Sequence, residues 1–279
     1  MKRFGLIGHP ISHSLSPALF KAAYRGKYTY DLIEEEDFEK AYGIFMNEYD
    51  AINVTAPFKE SAYAKANVAS DECTAVGAAN ILIKTTDGQS VSADNSDISG
   101  VSGALRSAGT AGGNGMKALI VGCGGAAMAA AYATWIELDC ETVVINRNFK
   151  KAETFVGKLK ETGKGQNSIT AAGLESFEEH FCESDIIIYT LPLAIPALLT
   201  LSRSSIRGGK FWQRRKKKVI LEANYKDPAF TSEIKQNLCT INPEIRFISG
   251  KEWLLHQAVR AYRSFTGEEP NIGEMRKVL

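Results

Sequence analysis

One stretch of this chain restricts its fold more than any other. Lys117–Val121 is a short apolar run that leads directly into Gly122-Cys123-Gly124-Gly125-Ala126-Ala127, and a helical segment follows. Read as G-x-G-x-x-A, the loop puts Gly122 at a tight turn and Gly124 where backbone must approach a pyrophosphate. Ala127 then sits where the helix packs closely on the strand. The helix N-terminus adds unpaired N–H groups and partial positive charge for phosphate. Gly122, Gly124, Gly125 and Ala126 are therefore candidate contacts to a dinucleotide.

The surrounding pattern agrees with a parallel sheet. Lys117–Val121, Thr142–Ile145, Ile186–Tyr189 and Val219–Leu221 read as short strands, with helices predicted at Ala126–Leu138 and Phe149–Thr162. Short apolar runs alternating with helical segments imply crossover connections. Before this region lies Ser107–Gly115, a linker by composition. The front of the chain reads as strand (Phe4–Gly8), helix (Ala18–Tyr24, with Ser16 as N-cap and Pro17 at the first helical position), strand (Tyr28–Ile33), helix (Asp37–Asn47) and a β-rich run (Ala51–Thr55) stopped by Pro57. Ile81–Lys84 and Ser90–Asp94 flank the turn Asp87-Gly88 as a hairpin. Gly250 precedes a final amphipathic helix, Trp253–Phe265. These shifts divide the chain into residues 1–105, 106–249 and 250–279.

The strand after the glycine loop bears on the choice of cofactor. An NAD site wants an acidic residue about 20 positions after the glycines, to hold the ribose hydroxyls. Here Val143-Val144-Ile145 ends in Asn146-Arg147-Asn148, with Lys150 and Lys151 next. No carboxylate stands there to repel a 2′-phosphate, and Arg147 can meet one with its planar fork. Asn146, Arg147 and Lys151 thus join the candidate cofactor residues, and NADP is favoured over NAD.

Composition excludes several function classes. The chain has 279 residues, 44% hydrophobic and 23% charged, with a formal net charge of +1. That suits a packed globular protein of roughly two domains rather than a disordered one. The five cysteines are odd in number and widely spaced, which argues against a disulfide framework or a zinc ribbon. His9 and His13, four apart, lack the further ligands a metal site needs. The basic run Lys210, Arg214, Arg215, Lys216, Lys217, Lys218 could be a nucleic-acid patch, but no nucleic-acid module accompanies it, and it reads as a solvated loop before a strand. No apolar run has the length of a bilayer span, and the N-terminus lacks a signal-peptide core. The expected compartment is the cytosol, with no membrane and no nucleic acid as partner; a homodimer is a possible assembly.

Three polar clusters precede the linker: His9 to Pro17, Asn53 to Lys59, and Asp94 to Gly100. Segments rich in hydroxyl, amide and charge are how a site for a polar small molecule is lined. Together with the glycine loop they resemble shikimate dehydrogenase. The matching pieces are Ser14-Leu15-Ser16, Asn53-Val54-Thr55-x-Pro57-Phe58-Lys59, Asn80, Asp94-Asn95-Ser96-Asp97-x-x-Gly100, Gly122-x-Gly124-Gly125-Ala126, Asn146-Arg147 and Gln257-Ala258, in the family's order across nearly the whole chain. The resemblance implies an α/β fold with a three-layer substrate domain, a Rossmann-like doubly wound cofactor domain, and a C-terminal helix returning to the first domain. It implies reversible, NADPH-dependent reduction of 3-dehydroshikimate to shikimate, with Lys59 and Asp97 as the catalytic pair. Ser14 and Ser16 would hold the substrate carboxylate, and Thr55, Asn80, Asp97 and Gln257 the ring hydroxyls. Tyr225 matches a tyrosine near the substrate pocket and the nicotinamide.

The chemistry is coherent on its own terms. A ketone accepting hydride needs a proton for the nascent alkoxide, and a positioned lysine ammonium supplies charge and proton together. Taken alone, Lys59 could simply start a helix after Pro57, and Asp97 could be an N-cap. The chain also departs from the family pattern. Ile81 follows Asn80 where Thr is common, Ala93 replaces a common Gly, Met128 varies the glycine loop, and Glu222 stands for the usual Asp. Tyr189-Thr190-Leu191-Pro192-Leu193 replaces an Asn-Ala-Thr segment. Two alternatives are a quinate/shikimate dehydrogenase using NAD and a non-catalytic dinucleotide-binding sensor.

Overall fold

The computed structural model describes residues 2–86, 88–113, 115–204 and 217–279, and its chain forms two compact units. Asp87 of the hairpin turn, Asn114 of the linker and the basic residues Lys210, Arg214, Arg215 and Lys216 lie outside the described residues.

The first unit comprises Met1–Gly100 and Leu254–Leu279. Its strands are β1 (Arg3–Gly8), β2 (Thr29–Glu34), β3 (Ala51–Val54), β4 (Val68–Ala69), β5 (Ile81–Lys84) and β6 (Val91–Asp94), in the spatial order β2-β1-β3-β5-β6-β4. The β1–β2 and β1–β3 pairs are parallel, bridged by the helices α1 (Ser16–Tyr24) and α2 (Phe38–Glu48). The β5–β6 hairpin is antiparallel, as its turn signal implies, and β5 also pairs antiparallel with β3. Side chains alternate across the sheet. Phe4, Ala51 and Ile81 enter one core with Leu19 and Phe20 of α1; Ile7, Ile52 and Leu82 enter another with Ala41 and Phe45 of α2. The helices α3 (Lys59–Lys65) and α4 (Asp71–Val76) add Ala62 and Cys73 to the second core. Two cores on opposite faces of one sheet make this unit three-layered.

The first core is closed by the C-terminal part of the chain. Leu255, Ala258, Val259 and Tyr262, at helical spacing, are buried in it with Phe265. The helix starts earlier than the sequence pattern indicates, running as Gly250–Thr266, and it is not the last, because Ile272–Val278 forms another that buries Met275.

The second unit, Val101–Trp253, is built on a wholly parallel sheet. The helix α5 (Ser96–Ser107) leads to β7 (Lys117–Val121), α6 (Gly125–Tyr132), β8 (Glu141–Asn146), α7 (Phe149–Lys160), β9 (Ile169–Gly173), α8 (Phe177–Glu183), β10 (Ile186–Tyr189), α9 (Pro196–Ser204), β11 (Lys218–Glu222), α10 (Ser232–Ile241) and β12 (Ile245–Ser249), which precedes α11 (Gly250–Thr266) and α12 (Ile272–Val278). The order β12-β11-β10-β7-β8-β9 reverses direction between β7 and β10. This is a doubly wound sheet with its switch point there. Every residue of β10 and β11 is buried, as expected of parallel strands covered on both faces.

Three local expectations are corrected. Ser16 is not the cap of α1: the helix begins at Ser16 itself, and the Ser14 hydroxyl accepts the Ser16 N–H at 3.2 Å. The helix after the glycine loop does not stay α to Leu138, because Ala133–Glu137 winds as a π-turn closed by Leu138 N–H on Ala133 O at 2.9 Å. Lys217 is exposed, but Lys218 is no part of a solvated loop. It is only 2% exposed, it opens β11, and its ammonium donates to the carbonyls of Phe181, Cys182 and Ser184 at the end of α8.

Candidate active site

After β3 the chain turns tightly, with Phe58 N–H on Thr55 O at 3.0 Å, and Phe58 sinks into the second core. That anchor fixes the start of α3, so Lys59 leaves its first position half-buried. Asp97 lies in the first turn of α5, 7% exposed. Asn95, not Asp97, does the capping there: the Asn95 Oδ1 accepts the Asp97 N–H at 2.9 Å. The Asp97 carboxylate instead meets Lys59 Nζ on Oδ2 at 2.6 Å and Gln257 Nε2 on Oδ1 at 2.8 Å. A buried charge requires such partners. Three residues that are far apart in sequence thus form one acid–base constellation.

Gln257 is held in register by its own helix. Arg260, one turn further along α11, makes a bidentate pair with Asp94, its Nε donating to Oδ2 at 3.0 Å and its Nη2 to Oδ1 at 3.1 Å, and Glu72 lies 3.7 Å away. Asp94 also accepts from Ser70 Oγ at 2.8 Å. Arg260 was not singled out by sequence reasoning, although its spacing from Gln257 places both on one helix face.

The remaining first-unit candidates lie along a chain of polar and ring contacts. Ser14 Oγ donates to Ser16 Oγ at 3.2 Å, beside the N-terminus of α1. Ser16 O accepts from the Tyr262 hydroxyl at 2.8 Å, and the Tyr262 ring meets that of Tyr30 edge-on. Tyr30 donates to Asn53 Oδ1 at 2.8 Å, and Asn53 Nδ2 donates to Asn80 O at 3.2 Å. Asn80 Oδ1 accepts from Ser96 N–H at 2.8 Å and from Ser96 Oγ at 3.2 Å, next to Asp97. With its oxygen committed, Asn80 presents its NH2 as a donor. Burial pushes the Tyr30 and Tyr262 phenols well up, so both remain protonated donors. These two tyrosines were also missed, because an aromatic in a strand or helix reads first as core. Thr55 comes close to the end of β1 because Gly8 carries no side chain; a Cβ there would collide with Thr55 Cγ2.

In the second unit the glycine loop has the geometry its sequence implies. Gly122 sits at φ +118°, and a Cβ on it would collide with the Thr190 hydroxyl. Gly124 and Gly125 face open space, and α6 begins with no side chain capping it. Its first N–H groups are therefore available to a phosphate, which fits a bound dinucleotide. Ala126 is exposed at the helix start, while Ala127 is fully buried against the sheet.

At the end of β8, Asn146 Nδ2 donates to Asn148 O at 3.2 Å, and Asn148 caps α7 through the Lys151 N–H at 3.1 Å. Arg147, Lys150 and Lys151 are exposed. Burial pushes the Cys123 thiol in the glycine loop up to about 11, while the Lys151 ammonium draws it the other way, so Lys151 is electrostatically close to that loop. Tyr225 also belongs to this unit, in the loop after β11. That loop is tied at its base by Glu222, whose carboxylate accepts from the Ala229 and Phe230 N–H groups.

Residues 6–82 match the family model described as the shikimate dehydrogenase substrate binding domain. Over 272 residues the chain is 29% identical to the shikimate dehydrogenase (NADP(+)) of Ignicoccus hospitalis, covering 96% of this chain and 94% of that one. The chain is thus similar to the shikimate dehydrogenases. The shikimate 5-dehydrogenase of Thermus thermophilus, solved in complex with NADP(H) and shikimate, superimposes with a TM-score of 0.77 at 25% identity, covering 100% of both chains. A pentafunctional AROM polypeptide of Candida tropicalis is 28% identical over 275 residues, and the chain spans 17% of that polypeptide's length. The fold expected from the shikimate dehydrogenase resemblance, a three-layered unit and a doubly wound parallel unit, is the fold observed. Among the described residues, no helix is long and apolar enough to cross a membrane.

Proposed function

We propose that this protein catalyses the reversible, NADPH-dependent reduction of 3-dehydroshikimate to shikimate, a step toward chorismate and the aromatic amino acids. The observation that carries the reading is the Lys59–Asp97 pair at 2.6 Å with Gln257 on the second carboxylate oxygen. NADPH supplies the hydride when bound. Lys59 gives its proton to the oxygen of the carbonyl being reduced, and its charge stabilises the alkoxide as it forms. Asp97 holds the ammonium in place and accepts from Gln257, so the amide orients the carboxylate without competing for the proton. The Ser14 and Ser16 hydroxyls and the α1 N-terminus receive the substrate carboxylate. Asn80, Thr55, Asp97 and Gln257 bind the ring hydroxyls, and Tyr225 is a further substrate-binding residue.

Residues 1–105 act as the substrate domain, 106–249 as the cofactor domain, and 250–279 as the returning segment. Gly122, Gly124, Gly125 and Ala126 hold the pyrophosphate, while Asn146, Arg147 and Lys151 hold the adenosine end and its 2′-phosphate. Cytosolic residence and a homodimeric assembly belong to the same proposal, to be read from cell fractionation and sedimentation. The test is turnover: kcat/KM for shikimate and quinate, each with NADP+ and NAD+. The highest value is expected for shikimate with NADP+. Turnover favouring quinate with NAD+, or cofactor binding without turnover, would overturn this reading.

A further inference from the structure

Tyr189 ends β10, on one side of the sheet's switch point. Its ring is fully buried, edge-on to Phe230 at 5.4 Å. The hydroxyl donates to Leu193 O at 2.7 Å and accepts from Ile195 N–H at 3.1 Å, so the side chain spans the loop that follows it. Burial pushes the phenol up to about 12, and the donor stays protonated at neutral pH.

The same loop is tied on two flanks. Thr190 N–H and Oγ1 both donate to Val121 O, at 3.0 and 2.8 Å, immediately before the glycine turn. Asn224 Nδ2 donates to Pro192 O at 3.3 Å from the loop after β11. A Cβ on Gly122 would lie 3.2 Å from Leu191 Cδ2, so this segment is built directly against the glycine turn. Leu193, 69% exposed, nevertheless leaves apolar surface open on it. Ligands of doubly wound sheets lie outside the carboxyl ends of the strands at the switch point. With the adenosine end assigned to β8, a dinucleotide crossing the glycine turn on β7 reaches the β10 side with its nicotinamide end.

We propose that Tyr189 is a positioning residue for the cofactor, its hydroxyl holding Thr190–Leu193 as a fixed wall for the nicotinamide end. This rests on the reading of the second unit as an NADP site. The experiment compares wild type with Tyr189→Phe, which keeps the ring. Dissociation constants are measured for NADPH and for adenosine 2′,5′-bisphosphate, which carries the 2′-phosphate but no nicotinamide, together with amide exchange at Ile195.

Tyr189→Phe is expected to weaken NADPH about 3- to 10-fold, the worth of one or two ordinary hydrogen bonds. The bisphosphate should change less than about twofold, and Ile195 exchange should accelerate. Asn224→Ala, which cuts an independent tie to the same loop, should give the same selective weakening should the Phe variant fold poorly. Equal weakening of both ligands, or unchanged NADPH affinity, would overturn the role of Tyr189. Wild type binding neither ligand would instead overturn the NADP reading beneath it.

Discussion

Among the described residues, the buried charged side chains are Asp97, Lys218 and Glu222. Each meets the requirement that a buried charge be paired or hydrogen-bonded. Asp97 has a cation and an amide, Lys218 three carbonyls, and Glu222 two backbone N–H groups. Only Asp97 was legible in the sequence, because its polar neighbours form a recognisable run. Lys218 was not, since it closes a basic run whose pattern does not say which residue first enters the sheet. Burial raises the Glu222 carboxyl above its ordinary value, outweighing the Ala229 and Phe230 N–H groups that act to lower it. The folded state therefore holds this proton more tightly than the unfolded chain. Its contribution to stability is greatest below the ordinary carboxylate range and declines as pH rises through the folded value. Urea denaturation of Glu222→Gln should show the variant gaining relative to wild type as pH rises from the ordinary carboxylate range to neutrality; a difference independent of pH would contradict that account.

At the scale of elements, helices and strands with strong periodicity were legible, while their partners were not. The apolar spacing of α11 announces a helix, but nothing local announces that Arg260 pairs with Asp94, 166 residues earlier. Cutting this pair with Arg260→Met should cost about 1 kcal/mol of stability, discounted because the arginine is partly exposed. Loosening α11 should also raise KM for shikimate more than it lowers kcat, because Gln257 loses its register. Steady-state kinetics check this, and an unchanged KM would exclude the clamp as a positioning device. The π-turn after α6 was illegible for another reason: an alanine-rich segment fits either winding, and Thr134 bonds back to both Ala130 O and Ala131 O. At the β8–α7 junction, the missing acid and exposed Arg147 were plain in the sequence. Arg147→Ala should weaken NADP+ about tenfold more than NAD+ in binding titrations, since only the former carries the phosphate its fork would meet. Equal weakening would refute that role.

At the scale of the whole molecule, the parallel sheet of the second unit followed from alternation and the glycine loop, while the three-layered first unit, the returning helix and the candidate site followed from polar runs that resemble one family. Less legible was how the site holds together. A chain of contacts from Ser14 through Tyr262, Tyr30, Asn53 and Asn80 to the Lys59–Asp97 pair joins segments that sequence order keeps apart. Aromatic residues supply two of its links, and composition alone assigns them to the core. The account's central claim is that Lys59 delivers the proton while Asp97 and Gln257 hold it in position. NADPH oxidation with 3-dehydroshikimate, followed for wild type and Lys59→Ala alongside the dissociation constant for NADPH, tests it directly. A fall in kcat of about 10²- to 10⁴-fold with cofactor affinity unchanged is the predicted result; a loss below about tenfold would contradict the assignment of Lys59 as the acid.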